Sequence, residues 1–145
     1  MTTRRPNNET RDVVGPVLHA LASLGFFVVT QGSDFTKAVK ILRMSQWMGV
    51  VWRQNTGGMM KEYQGRTSHI RFCPKGVSDI VGICRDGQWL AIECKRPGEK
   101  PTPEQAAFME SIRLMGGVAM ISHGAQDIFD RKNLIVHDEL VIRGK

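Results

Sequence analysis

Cysteine is scarce in this chain, and its arrangement excludes two kinds of small domain. Cys73, Cys84 and Cys94 are odd in number and nowhere form a C-x-x-C pair. Such spacing supports neither a disulfide framework nor a thiolate zinc site; buried thiols in a reducing compartment are the reading. Long apolar runs are missing as well, and no stretch approaches the ~20 residues of a membrane span. The opening MTTRRPNNETRD is polar and lacks the apolar segment of a secretory signal. Cytoplasmic location and no membrane partner are therefore expected. There is no P-loop, so no nucleotide motor is expected here, and no nucleophile elbow to support a Ser-His-Asp triad. Internal repeats, low-complexity tracts and interdomain linkers are absent too.

What remains is a basic chain of 145 residues with net charge +6. Its length suits one domain with a real core. Residues 1–8 read as a flexible basic arm and 9–145 as a single domain. An excess of cations suggests a polyanionic partner, nucleic acid first.

The most informative stretch is Gly76 to Lys95, GVSDIVGICRDGQWLAIECK. Two apolar runs rich in β-branched and aromatic residues, Ile80 to Cys84 and Trp89 to Cys94, flank Arg85-Asp86-Gly87. That pattern predicts a β-hairpin. Alternation along a strand puts Glu93 and Lys95 on one face. Whether Asp79 joins them depends on register. A two-residue turn at Asp86-Gly87 sets Asp79 opposite Cys94, on the wrong face. A three-residue loop, with Gly87 in a bulge, sets it opposite Glu93.

In the second register the Cβ atoms of the two acids are about 5 Å apart. Carboxylates so close repel unless a cation lies between them. A hard divalent ion with oxygen ligands, Mg²⁺ or Mn²⁺, meets that need. Lys95 beside it would orient a water or stabilise developing negative charge. The bland alternative is a solvated charge pair, Glu93 with Lys95, at a strand end.

PKGVSDIVG, then LAIECKRPGEKPTPEQAAF, then GGVAMIS together resemble the VRR-NUC branch of the PD-(D/E)XK nucleases. The similarity runs from about Val50 to Asp130. D…ExK alone is weak; the ordered set of G-x-x-D, strand, ExK, Thr-Pro-Glu-Gln helix and Gly-Gly strand is far more specific. Ser78 stands where the superfamily name has Pro. The resemblance implies a restriction-endonuclease-like α/β fold, a small mixed sheet flanked by helices. It also implies metal-dependent hydrolysis of DNA in a bacterial or phage-infected cell, serving repair, recombination or phage DNA processing. It assigns the metal to Asp79, Glu93 and the backbone carbonyl of Cys94, with Glu9 as a further acidic residue approaching it. For Glu9 the competing reading is a charge favouring a helix dipole. The main rival function is a catalytically silent DNA-binding or partner-binding module on the same fold.

Other elements follow in order. A helix is predicted from Thr10 to Leu24, with Val13, Val17, Leu21 and Leu24 as its stripe and Pro16 as a kink. Phe26 to Thr30 suggests a short strand. Gln31 to Met48 is the least family-like segment and reads as an insertion in the domain, where Ser33 or Asp34 caps an amphipathic helix. Val50 to Arg53 reads as a strand and Gln54 to Gly58 as a loop, within a family-like WRQNTG. Arg53, Lys61, Arg66, Arg71, Lys75 and Arg96 form the DNA-binding expectation. Interleaved Trp52, Tyr63 and Phe72 are expected to be core. Thr102-Pro103-Glu104-Gln105 is a strong helix start, running to Met115 and ended by Gly116-Gly117. Gln105 has two readings. As a capping box it bonds the Thr102 backbone; the resemblance directs it toward Lys95 or the attacking water, as a catalytic residue. We take the active-site orientation as the expectation. Val118 to Ser122 is the next strand, parallel to its predecessor. A short helix follows near Gln126 to Arg131. Within a C-terminal extension, 133–145, the stretch Leu134 to Ile142 reads as an extra hairpin. His19, His69, His123 and His137 are taken as structural or surface residues.

Finally, the apolar surface predicted for 31–48, including Met44 and Met48, is wider than one packing face needs. Small members of the resembled family look like junction-cleaving dimers. A homodimer acting on branched DNA is expected, with a helicase or other DNA-processing protein as a further partner.

Overall fold

The computed structural model describes residues 13–54, 58–71 and 73–137. The expectations for residues 1–8, for Glu9, for 55–57 of the loop, for Phe72 and for the tail from residue 138 onward lie outside that set.

The fold is α/β. Five strands form one mixed sheet in the order β1-β2-β5-β6-β7. These are β1 (Phe26–Val29), β2 (Gly49–Arg53), β5 (Ile80–Cys84), β6 (Trp89–Cys94) and β7 (Val118–Ser122). β3 (Gly58–Tyr63) and β4 (Arg66–Arg71) pair only with each other, as a separate two-stranded ribbon. β5 and β6 are the predicted hairpin, with the predicted ends. β6 is buried along nearly its whole length, as a central strand with both faces covered should be. β6 and β7 run parallel, joined by helix α3 (Pro103–Leu114), which is the crossover expected from the strand–helix–strand pattern.

One face of the sheet holds the main core. Helix α1 (Gly15–Ser23) and helix α4 (Ala125–Asp130) cover it, with Val17, Leu21 and Ile128 fully buried against Phe26, Val51, Ile80, Leu90 and Ile92. α3 lies on the other face, where Met109 meets Ala91 and Ala119. Pro16 is the second residue of the regular α-helix, and Val13 and Val14 before it form a π-helical turn, so the irregularity expected at Pro16 lies in the helix's first half.

Asp34, rather than Ser33, caps α2 (Phe35–Leu42): its carboxylate accepts from Lys37 N–H at 3.0 Å. This helix is short, and the 31–48 region is not one long amphipathic helix. Ala38 is its buried residue, while Phe35, Val39 and Ile41 stay exposed. Met44 is 81% exposed, but Met48 packs against the main core and its backbone bonds Gly25 and Arg85. The two methionines therefore do not form one patch. Near the C-terminus, Leu134 and Ile135 belong to a helical turn, α5 (Lys132–Ile135), and Ile135 is fully buried. The described part of the 133–145 extension is thus integral to the core, not a hairpin added beside it.

Candidate active site

The loop between β5 and β6 decides where the acids go. Gly87 has φ +88°, and its N–H reaches the Cys84 carbonyl at 2.9 Å. Cys84 N–H in turn reaches Gln88 O at 2.8 Å, closing a three-residue loop from Arg85 to Gly87. Only a residue tolerant of the left-handed region makes that closure without strain. The ladder beyond it pairs Ile83 with Trp89 and Ile80 with Ile92. Continued by one residue, the same register sets Asp79 across from Glu93. This is the second of the two registers weighed above.

Glu93 lies one residue before the end of β6 and is only 1% exposed. Lys95 follows on the same face. Its ammonium sits 3.8 Å from Glu93 Oε1, with the lysine side chain 12% exposed. Asp79 points its Oδ2 at the backbone N–H of Cys94, 2.9 Å away. Its own carbonyl takes the Gln54 N–H at 2.8 Å, which ties it to the end of β2. Asp79 is thereby fixed from both neighbouring strands.

Lys95 is held equally firmly by groups that residue-type reasoning passed over. Its N–H donates to Ser122 O at 3.0 Å. Its carbonyl accepts from His123 Nδ1 at 3.0 Å, which requires the proton on that nitrogen. Asp127 accepts the His123 backbone N–H at 2.8 Å. His123 is structural, as expected, but it supports the Lys95 backbone in particular. The available signal was its place one residue past the strand parallel to β6.

Gln105 departs from expectation. Its amide oxygen accepts from Thr102 N–H at 2.9 Å, and Thr102 Oγ1 accepts from Gln105 N–H at 3.2 Å. This reciprocal capping box engages the side chain at the helix start. The cap is the observed geometry, and the active-site orientation is not. Helix geometry gives the reason: the third helical residue reaches back to its own cap.

The same helix start pins the loop that leads into Asp79. Glu104 and Lys75 form an ion pair at 3.0 Å. The lysine holds the Glu104 carboxyl below the usual carboxylate range, chiefly through their hydrogen bond. Gly76, at φ +101°, backs onto α3 so closely that a Cβ there would lie 2.3 Å from the Glu104 carbonyl oxygen. Ser78 is fully buried, and its Oγ makes no hydrogen bond among the described residues.

The predicted cationic residues lie on several different elements. Arg53 ends β2, Arg96 follows Lys95, and both are half-buried. Lys61 and Arg66 are exposed on the ribbon. Arg71 ends β4, and its side chain lies outside the description. Of the three aromatics expected in the core, Trp52 is half-buried, edge-on to Phe35 and Trp89. Tyr63 is instead 69% exposed.

The donor set suits a hard cation. No group of three His, Cys, Asp or Glu side chains that could hold a metal occurs among the described residues. Two carboxylates are a poor match for zinc, which takes N and S ligands in a closed shell. They suit Mg²⁺, which keeps much of its water and uses one or two carboxylates. Cys94 and Cys84 are buried, and burial beside Asp86 pushes the Cys84 thiol up to about 12, so it is inert. No helix among the described residues is long and apolar enough to cross a membrane. Comparison with protein-family models, with curated proteins and with solved structures found no match to this chain.

Proposed function

We propose that this chain is a metal-dependent DNA endonuclease of the VRR-NUC kind, acting in the cytoplasm. The observation that carries the reading is the β5–β6 register, with Asp79 across from Glu93 and Lys95 beside them. Mg²⁺ or Mn²⁺, when bound, polarises the scissile phosphate and acidifies a water. Asp79, Glu93 and the Cys94 carbonyl are the groups that would hold it. Asp79 is oriented for this by the Cys94 N–H. Lys95 orients the attacking water and offsets charge growing on the phosphoryl oxygens. Water adds to phosphorus and gives up a proton to solvent, the opposite P–O bond breaks, and the departing oxygen takes up a proton from solvent in turn. Arg53, Lys61, Arg66, Arg71, Lys75 and Arg96 draw in the polyanion. Gln105 is left out of this chemistry and kept as the α3 cap.

The test is a panel of end-labelled linear and branched DNAs with Mg²⁺ or Mn²⁺, run beside Asp79→Asn. Cleavage by wild type and none by the variant is the expected result. Equal cleavage in excess EDTA ends the reading. The ion pair between Lys95 and Glu93 favours a second reading, since it neutralises the acid without any metal. On that reading the chain is a silent DNA-binding or partner-binding module, and wild type binds DNA but cuts nothing.

We further propose a homodimer acting on branched DNA, with a helicase or similar partner delivering it. Support comes from the exposed Val39, Ile41 and Met44, next to a groove of ≈ 430 Å³ lined by Leu42, Trp47, Val50 and Ile83. Light scattering should give twice the chain mass, and Val39→Asp with Met44→Asp should halve it. Met48 is unsuitable for this test because it packs in the core.

A further inference from the structure

The β3–β4 ribbon has no evident structural employment. All of its described side chains, residues 59–70, are exposed, and its two strands make their substantial contacts with each other alone. A lone hairpin is marginally stable in water. This one closes tightly through Gln64 and Gly65, both at positive φ (49° and 72°), the geometry of a two-residue hairpin turn. It also exposes Met59, Met60, Tyr63 and Ile70, which a solvated arm has no reason to carry.

Its place in the fold is specific. β2 ends at Arg53 and β5 begins at Ile80, and these two residues are register partners. The segment that carries the ribbon, residues 54–79, therefore leaves and re-enters the sheet at one point. That point is the end of the sheet bearing Asp79, Glu93 and Lys95. The two faces also differ. The register pairs Met59 with Ile70, Lys61 with Ser68 and Tyr63 with Arg66, so these six share a face. This face has two cationic heads, two hydroxyls and no acid. Glu62, the ribbon's one acidic residue, lies on the opposite face with Met60, Thr67 and His69.

We propose that the ribbon is a groove-reading arm, whose Lys61–Tyr63–Arg66 face lies in the major groove of a DNA duplex beside the scissile phosphate. The inference rests on the nuclease reading for the site and adds a duplex-recognition element to it. Size agrees. Six-residue strands are about 20 Å long, and two strands sit about 5 Å apart. The major groove of B-DNA is about 12 Å wide and admits a two-stranded ribbon. The deep, narrow major groove of duplex RNA does not. Lys61 and Arg66 supply charge complementarity, and Met59 and Tyr63 supply apolar and hydroxyl contact with base edges.

The test is anisotropy of a labelled DNA duplex of about two helical turns with the full chain in EDTA, so that binding is read without cleavage. Lys61→Gln with Arg66→Gln is compared with Met60→Glu with Thr67→Glu. Both pairs change the net charge by the same amount, on opposite faces. The first pair should weaken duplex binding about tenfold or more and reduce the salt-dependence slope by about 2. The second pair should change it little, and Tyr63→Ala should weaken duplex binding with no shift in melting temperature. A duplex RNA of the same sequence should bind more weakly, and equally to wild type and to the first pair. Equal losses from the two pairs would mean bulk charge and overturn the proposal; so would no loss from either. A wild-type dimer that Met59→Ala with Tyr63→Ala dissociates, at unchanged DNA affinity, would make the face a protein interface and also overturn it. If wild type cleaves DNA and the two pairs behave alike, the ribbon inference alone fails. If wild type neither binds nor cleaves DNA, the nuclease reading falls with it.

Discussion

Asp79 accepts a hydrogen bond from the backbone N–H of Cys94, at 2.9 Å. The acid that opens one strand is thus tied to the residue between Glu93 and Lys95 on the next. Asparagine preserves that acceptor for the N–H, whereas alanine removes it. Asp79→Ala should therefore cost about 1–2 kcal/mol of stability, and Asp79→Asn much less. Both should lose several orders of magnitude in cleavage. Urea denaturation beside the nuclease assay checks it. Equal destabilisation by the two variants would show that the hydrogen bond carries no weight.

Glu93 and Lys95 form a close pair in a nearly water-free setting. Removing one partner of a buried ion pair costs more than removing both. Lys95→Met should destabilise by about 2–4 kcal/mol, and adding Glu93→Gln should recover part of that. A double-mutant cycle by denaturant melts makes the measurement. Strict additivity would mean that the pair does not couple in solution.

Thr102 and Gln105 close the α3 capping box. Thr102→Ala should cost about 1 kcal/mol. Gln105→Glu should hold both stability and cleavage, because a carboxylate still accepts from the Thr102 N–H. Stable Gln105→Glu protein with cleavage abolished would return Gln105 to the chemistry.

Gly76 and Gly87 both sit at positive φ, yet they should respond differently. Nothing lies within 4 Å of a Cβ built on Gly87, so its alanine variant bears only backbone strain, about 1 kcal/mol. Gly87→Val, being β-branched, should cost about 1–2 kcal/mol. A Cβ on Gly76 would collide with the Glu104 backbone, so the loop or α3 must move. Gly76→Ala should be the more destabilising of the two alanine variants and should reduce cleavage by displacing Asp79. Thermal melts and cleavage rates test both. An unaffected Gly76→Ala would mean that loop and helix are not in contact.

The β5–β6 hairpin, the α3 cap and the β7 strand were legible because their causes are local. Alternation, a glycine at a bulge and a Thr-Pro-Glu-Gln start act within a few residues of each other. The ribbon was not legible as strands. Its alternation does not separate buried from exposed residues, since both faces meet solvent, and Gln64-Gly65 was the one usable sign. Met44 and Met48 looked alike in sequence, and only packing separated the exposed one from the core one.

By itself, the sequence determined a hairpin and narrowed its loop to two registers, of which the folded chain takes the one that sets Asp79 opposite Glu93. Loop closure is a property of three residues and the glycine among them. Tertiary structure decided what surrounds that pair. Residues distant in the chain, Ser122, His123 and Glu104, hold the Lys95 backbone and the loop before Asp79. Such contacts depend on which strands become neighbours in the sheet, and no local propensity encodes that choice. For Gln105 the residue type was compatible with two partners, Thr102 and Lys95, and the folded chain gives the side chain to Thr102 for a local reason, since that pair of hydrogen bonds forms within one turn.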